Sequence, residues 1–326
     1  MNLRILSPDA NGWIDPPVHD TLRQLPNLVT DVEPDAWLVP ITYGSHFKFE
    51  GLAQIKGKKW VLVDYSEFGW DWKQDTSYKW LNGDRFKHPS FAHHEEYIKL
   101  QHFMLDNPPI LTFQRELLER DRSDTLVPIE YLSWLPDDRG MDTKEQFLKR
   151  PLDVSYIWSR SHEERPKMHG AIFDCCGGWG YDVISEFSHV ERALQESRSA
   201  KKWLSVHVPH YARIDVREVQ KFVKMSKITI SMPGCGVKCF RHGEVCQDAI
   251  MAMLKDELAW SYPWNYGNSI PICSSDIDER QITEISNSLE NQDLYNIYIA
   301  AMENGRKYRS ETYLRQWVMG NIQRVL

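Results

Sequence analysis

Short apolar runs punctuate the chain, and most of them are continuous rather than alternating. In the first half they fall at 3–6, 36–40, 60–64, 110–112 and 127–132. Runs of this length without alternation suit parallel strands covered on both faces, since a half-exposed strand would show period two. Segments 95–104 and 116–120 between them carry helical spacing. A second series follows at 154–158, 171–174, 203–208, 228–232 and 269–272, with helical segments at 182–194 and 216–225. Between the two series the pattern breaks. Pro136, Asp137, Asp138, Arg139 and Gly140 open a charged stretch ending near 151, which reads as a linker with one helical turn. The pattern predicts an α/β protein built from two Rossmann-like domains facing a cleft.

Length agrees with this division. A chain of 326 residues exceeds what one core usually holds, and 42% hydrophobic residues mark a folded globular protein. No stretch approaches the ~20 uninterrupted apolar residues of a membrane helix, and the first residues have no apolar core of a signal peptide. The expectation is a cytoplasmic protein without a membrane span, in the host cytoplasm if viral, and a monomer or weak dimer. The six cysteines all lie in the second half and are expected to be reduced thiols. Cys235, Cys239, His242 and Cys246 fall within twelve residues but lack the second hook of a structural zinc site, so no metal is expected. Residues 1–150 carry 18 basic and 24 acidic side chains, a balance of −6, and residues 151–326 a balance of −1. Bulk charge therefore argues mildly against a polyanion as the main partner.

Chemistry concentrates between Lys227 and Trp264. An apolar run ending at Met232 is followed by Pro233, Gly234, Cys235 and Gly236. After that turn, Val245, Ile250, Met253, Leu254 and Leu258 have the spacing of one helical face. A strand, a glycine turn and a helix start form an anion site, because backbone N–H groups and the helix dipole both favour negative charge there. Arg241 can fork onto a diphosphate, and Glu244 can accept hydrogen bonds from a pair of ribose hydroxyls. Ser231, Gly234, Gly236, Arg241 and Glu244 all meet at this junction.

The order of Ser231, Pro233–Gly234–x–Gly236, Arg241–x–x–Glu244 and a following LAWSYPW segment resembles the nucleotide-sugar half of GT-B glycosyltransferases, particularly exostosin-like ones. The aromatic-rich tail with Tyr295, Tyr298, Tyr308, Tyr313 and Trp317 is similar to the terminal helices of such enzymes. The resemblance covers about 150–326, with TFQREL at 112–117 a weaker echo. It implies an acceptor-side domain over 1–145, a nucleotide-sugar domain over 150–305 and a helix at 306–326 crossing back to the first. It further implies that Arg241 contacts the donor diphosphate and Glu244 the ribose, while Ser231, Gly234 and Gly236 shape the loop. Arg160, Arg165 and Lys167, after the run ending at Trp158, would face the same cleft. The donor would be a UDP- or GDP-sugar, with no prosthetic group.

On the acceptor side, residues 60–87 are dense in aromatics, with Trp60, Trp70, Trp72 and Trp80 among them. Aromatic faces stack on sugars or nucleobases. Inverting transfer needs a general base, for which Asp64, Asp71 and His46 are candidates; a retaining enzyme would not need one. Glu67, Trp70, Trp72 and Lys73 are candidates for binding the acceptor, either a glycan or a 5-hydroxymethylated base in viral DNA, with Lys79, Arg85 and Lys87 available to phosphates. Asp276 and Asp278 form a D-x-D but read as the acidic start of a helix capped by Ser274 or Ser275. A Rossmann dehydrogenase is disfavoured because no GxGxxG follows the first strand. The remaining alternative is a non-catalytic carbohydrate- or nucleotide-binding protein on a degenerate GT-B frame.

Overall fold

The computed structural model describes residues 1–6, 22–29, 31–41, 49–64, 70–71, 76–77, 94–115, 117, 119–129, 140–158, 164–176, 179–182, 203–208, 216–232, 248–254, 269–272, 279–290, 293–308 and 310–326. Its first sheet holds β1 (Leu3–Ile5), β2 (Ala36–Ile41), β3 (Trp60–Asp64), β6 (Leu111–Gln114) and β7 (Leu126–Pro128), all parallel and in chain order. A separate antiparallel ribbon pairs β4 (Trp70–Asp71) with β5 (Thr76–Ser77). Leu28 forms a parallel bridge to Leu3, with the Leu3 N–H on Asn27 O at 2.8 Å and the Val29 N–H on Leu3 O at 2.8 Å. The chain thus moves outward from β1 and then returns past it to β2. Strand order reverses there.

The second sheet has the order β13-β12-β11-β8-β10-β9, again all parallel. Its strands are β8 (Leu152–Trp158), β9 (Trp179–Asp182), β10 (Trp203–His207), β11 (Ser226–Ser231), β12 (Ile250–Leu254) and β13 (Ser269–Ile272). The helices are α1 (His94–Asp106), α2 (Lys144–Leu148), α3 (Glu164–Cys176), α4 (Val216–Met225), α5 (Glu279–Leu289), α6 (Leu294–Tyr308) and α7 (Glu311–Val325). Central strand β8 has β10 on one side and β11 on the other, so the second sheet also reverses its order at its first strand.

Both sheets are covered on two faces, as their continuous apolar runs require. In the first, Ala36, Leu38, Val61, Val63, Leu111 and Phe113 form one core with Leu22, Leu25 and the α7 residues Leu314, Val318 and Ile322. The alternate residues Trp37, Val39, Ile41, Trp60 and Leu62 pack on the other face with Leu52, Ile55 and Leu100. In the second, Val154, Tyr156, Trp158, Ile228 and Ile230 face α3, α5 and α6, while Leu204 and Val206 face Val219 and Phe222 of α4.

Three expectations are corrected. Residues 171–174 are not a strand but the interior of α3. The apolar AIF run is too short to separate a strand from a buried helix turn, and Pro166 sits in the helix's first turn, where its missing N–H costs nothing. Residues 250–254 are not on a helix face but form β12, fully hydrogen-bonded between β11 and β13; Ile250, Met251 and Ala252 are all buried, so both strand faces are used. A segment beginning at Asp182 does not start a helix there, because Trp179–Asp182 is strand β9.

The linker carries α2, opened by a reciprocal cap in which Thr143 Oγ1 accepts the Gln146 N–H at 3.3 Å and Gln146 Oε1 accepts the Thr143 N–H at 2.8 Å. It ends in Arg150, which is buried at the amino edge of the second sheet. Arg150 Nη1 donates to Ser226 O at 2.5 Å and Asp248 O at 2.6 Å, Nε donates to Asp142 Oδ2 at 2.8 Å, and Nη2 donates to Tyr298 Oη at 3.2 Å. Its guanidinium also lies over the Phe147 and Tyr298 rings. Tyr298 Oη in turn accepts the Asp142 N–H at 3.1 Å. Burial pushes the Tyr298 hydroxyl above the ordinary tyrosine range, against the downward pull of that N–H and of Arg150.

Candidate functional site

In open parallel sheets, ligands lie beyond the carboxyl ends of the strands where strand order reverses. In the second sheet that place is the junction of β8, β10 and β11. Trp158 ends β8, His207 ends β10 and Ser231 ends β11, with α3 starting a few residues after β8. Arg165, in the first turn of α3, reaches across this junction, where its Nη2 donates to Met232 O at 3.4 Å. Tyr156 Oη donates to Arg165 O at 3.3 Å and fixes the helix start over β8. The Trp158 ring lies 4.4 Å from that of His207 and 5.2 Å from that of His169 of α3, centroid to centroid. His169 Nδ1 and Ser205 Oγ share a hydrogen bond of 2.7 Å. Beneath the edge, Ser155 Oγ and Thr229 Oγ1 are joined at 3.0 Å between β8 and β11.

Of the residues singled out for the donor, Ser231 is buried at the end of β11, Arg165 is half-buried at the junction, and Lys167 is exposed on α3. Arg160, Gly234, Gly236, Arg241 and Glu244 lie outside the described residues, as do the D-x-D and the Cys235, Cys239, His242 and Cys246 cluster. The helix face assigned to 245–258 is replaced by β12 over 250–254, so a helix start cannot span that stretch. Trp158, His169 and His207 were not singled out by sequence. Their only signal was position: Trp158 is the last residue of an apolar run directly before the cationic Arg160–Lys167 segment.

In the first sheet, Asp64 ends β3 opposite Gln114 of β6. Asp64 and Arg115 are both 0% exposed, and Asp64 O accepts the Arg115 N–H at 3.0 Å. Arg115 lies in the TFQREL segment but was given no role by sequence. Trp70 and Asp71 form β4; His46, Glu67, Trp72 and Lys73 lie outside the described residues. Among the described residues no group of three or more His, Cys, Asp or Glu could hold a metal ion. No described helix is long and apolar enough to cross a membrane.

No family model matches the chain, and no curated protein matches it. Solved structures do. The Anabaena protein HepE, crystallised in complex with UDP, overlays with a TM-score of 0.52 at 8% identity, covering 94% of this chain and 82% of that one. With two parallel α/β sheets of reversing strand order already in place, this overlay decides the architecture. The fold is GT-B. A trehalose-6-phosphate structure from E. coli bound with UDP-2-fluoro glucose overlays at TM-score 0.49 and 7% identity, over 90% of this chain and 74% of that one. At such identities the GT-B likeness is one of fold alone.

Proposed function

We propose that the protein is a glycosyltransferase that moves a sugar from a nucleotide-diphosphate sugar to a hydroxyl acceptor. The observation that carries this reading is the GT-B fold with a cation, Arg165, bridging α3 and β11 at the strand-order reversal of its second sheet. That HepE was crystallised with UDP supports a nucleotide donor. The donor, a UDP- or GDP-sugar, is held by Ser231, Gly234, Gly236, Arg241 and Glu244, assisted by Arg160, Arg165 and Lys167. Phosphate oxygens are acceptor-only groups, which suits a donor-rich edge of this kind. Transfer is metal-independent in this reading, since guanidinium and backbone N–H groups meet the diphosphate charge. The base that takes the acceptor proton is drawn from Asp64, Asp71 and His46, and Glu67, Trp70, Trp72 and Lys73 grip the acceptor. The acceptor is a glycan or a 5-hydroxymethylated base of DNA, the latter flipped from its stack.

The test is a thermal-shift titration with UDP, GDP and their sugars, followed by transfer from a radiolabelled donor to oligosaccharides and to hydroxymethylated duplex DNA side by side, with and without EDTA. A true donor raises the melting temperature by mass action. Label on DNA that disappears when the bases lack the hydroxymethyl group selects the DNA acceptor; label on oligosaccharides alone selects the glycan. Donor binding without transfer to either places the chain with inert GT-B frames. No stabilisation by any sugar nucleotide ends the proposal.

A further inference from the structure

Three strands meet where the second sheet reverses its order, and the chain at each of them holds the start of α3 at one point. From β8, Tyr156 Oη donates to Arg165 O at 3.3 Å. Just past the end of β11, Met232 O accepts from Arg165 Nη2 at 3.4 Å. From β10, Ser205 Oγ shares a hydrogen bond of 2.7 Å with His169 Nδ1. Arg165 and His169 are four residues apart, about one helical turn, so they lie on the same face of α3. The Trp158 ring of β8 adds a contact to the His169 ring, 5.2 Å between centroids. Below these anchors, Ser155 Oγ and Thr229 Oγ1 tie β8 to β11 at 3.0 Å.

The Tyr156 hydroxyl is not required to satisfy the carbonyl that it reaches. Arg165 stands in the first turn of a 13-residue helix, where a carbonyl already accepts the amide four residues on. Nor is the hydroxyl needed for packing, which the ring supplies. Tyr156 is 1% exposed in the core of the second sheet, and its ring lies 6.2 Å from that of Trp158, 10° from parallel. What the hydroxyl adds is a fixed place for the main chain of residue 165. A long guanidinium side chain loses conformational entropy when it grips a ligand, and that loss weakens binding. Arg165 is held at its carbonyl by β8 and at its guanidinium by the end of β11, so less remains to be ordered when an anion arrives.

We propose that Tyr156 is a positioning residue for the donor-binding cation Arg165, acting on its main chain, with the His169–Ser205 pair holding the same helix face one turn further on. This deepens the reading of the second sheet as the donor site and rests on it. The ligand class is a nucleoside diphosphate, and the part of it that Tyr156 serves through Arg165 is the diphosphate rather than the base or the ribose.

The test measures by calorimetry the affinities of UDP and GDP and of their nucleosides uridine and guanosine, which lack the diphosphate, with thermal unfolding alongside. The variants are Tyr156→Phe, Ser205→Ala, Arg165→Gln and the double variant of Tyr156→Phe with Arg165→Gln. Tyr298→Phe serves as the control, because it removes a tyrosine hydroxyl from the same core at the opposite edge of the sheet. Tyr156→Phe should weaken the diphosphate that binds by about three- to tenfold, the range for one neutral hydrogen bond, and leave its nucleoside unchanged. Ser205→Ala should act in the same direction and to a smaller extent, and it reads the same helix face should Tyr156→Phe not fold. In the Arg165→Gln background, Tyr156→Phe should change affinity by less than about twofold, since the group it positions is gone. Tyr298→Phe should lower the melting temperature and leave affinity intact. Equal weakening of nucleotide and nucleoside would make Tyr156 a structural residue and overturn the proposal. Equal losses from Tyr156→Phe with and without Arg165 would overturn it too. If the unaltered protein binds UDP or GDP and both Tyr156→Phe and Ser205→Ala match it, only this inference fails. If the unaltered protein binds neither nucleotide, the donor reading fails with it.

Discussion

The two edges of the second sheet use similar residue types to opposite ends. At the amino edge Arg150 is buried and saturated, bonded to two main-chain carbonyls, a carboxylate and a tyrosine hydroxyl. At the carboxyl edge Arg165 is half-buried and donates to Met232 O. A saturated edge stabilises one conformation of the empty chain. A half-buried cation at the carboxyl ends of the strands sits where open parallel sheets take their ligands. Alterations at the first should therefore move stability and spare binding; alterations at the second should move binding and spare stability.

The largest expected effect is at the saturated edge. Arg150→Met removes the cation from four partners and should cost about 3–5 kcal/mol of folding stability by denaturant titration, with nucleotide affinity unchanged in the folded fraction. Weaker nucleotide binding at unchanged stability would erase the contrast between the edges. Next comes the opposite edge. Arg165→Gln should weaken UDP binding by about 1.5–3 kcal/mol, the range for a charge-assisted bond, and shift the melting temperature little. A large melting shift with intact affinity would make Arg165 a second Arg150. Tyr298→Phe should cost about 1–2 kcal/mol, because the Asp142 N–H and Arg150 Nη2 both lose their acceptor.

The smallest effect is the alkaline one. Tyr298 is harder to ionise folded than unfolded, so its contribution is fully present below the ordinary tyrosine pKa and is lost as pH rises through its raised folded value. Stability should fall in that window, and the fall should be shallower in Tyr298→Phe. Parallel alkaline slopes in the two proteins would remove Tyr298 as the titrating group.

Much of the strand plan was legible because burial on both faces writes a continuous apolar run. Trp60–Asp64 and Ser269–Ile272 begin and end where the sequence placed them, and the helix Val216–Met225 likewise. Two of the three misread segments share a cause. AIF within α3 and IMAML in β12 are short apolar stretches whose periodicity fits either state, and only the neighbours β11 and β13 decide the second. At the site, Ser231 and Arg165 could be read from position after a strand. Tyr156 could not, because a tyrosine inside an apolar run looks like core. What distinguishes it is its hydroxyl on Arg165 O, a contact that no spacing encodes. Arg115 was hidden similarly: a charged residue after a strand reads as solvent-facing, and only the adjacent end of β3 shows it buried beside Asp64.

Helix α7 has a consequence for how the chain comes into being. Leu314, Val318 and Ile322 complete the hydrophobic face made by β1, β2, β3 and β6, about two to three hundred positions earlier. Its position is further fixed by Trp317 Nε1 on Pro128 O at 2.8 Å and by Arg324 on Asp124 at 2.6 Å. During translation this face of the first sheet therefore stays incompletely covered until α7 has been made. The second sheet has its own helices close by in sequence and can settle earlier, so the later-made half matures before the earlier-made one. Until α7 arrives, the bare face of the first sheet is a natural client surface for the chaperones that attend nascent chains. Emergence of α7 from the ribosome is the event that covers this face.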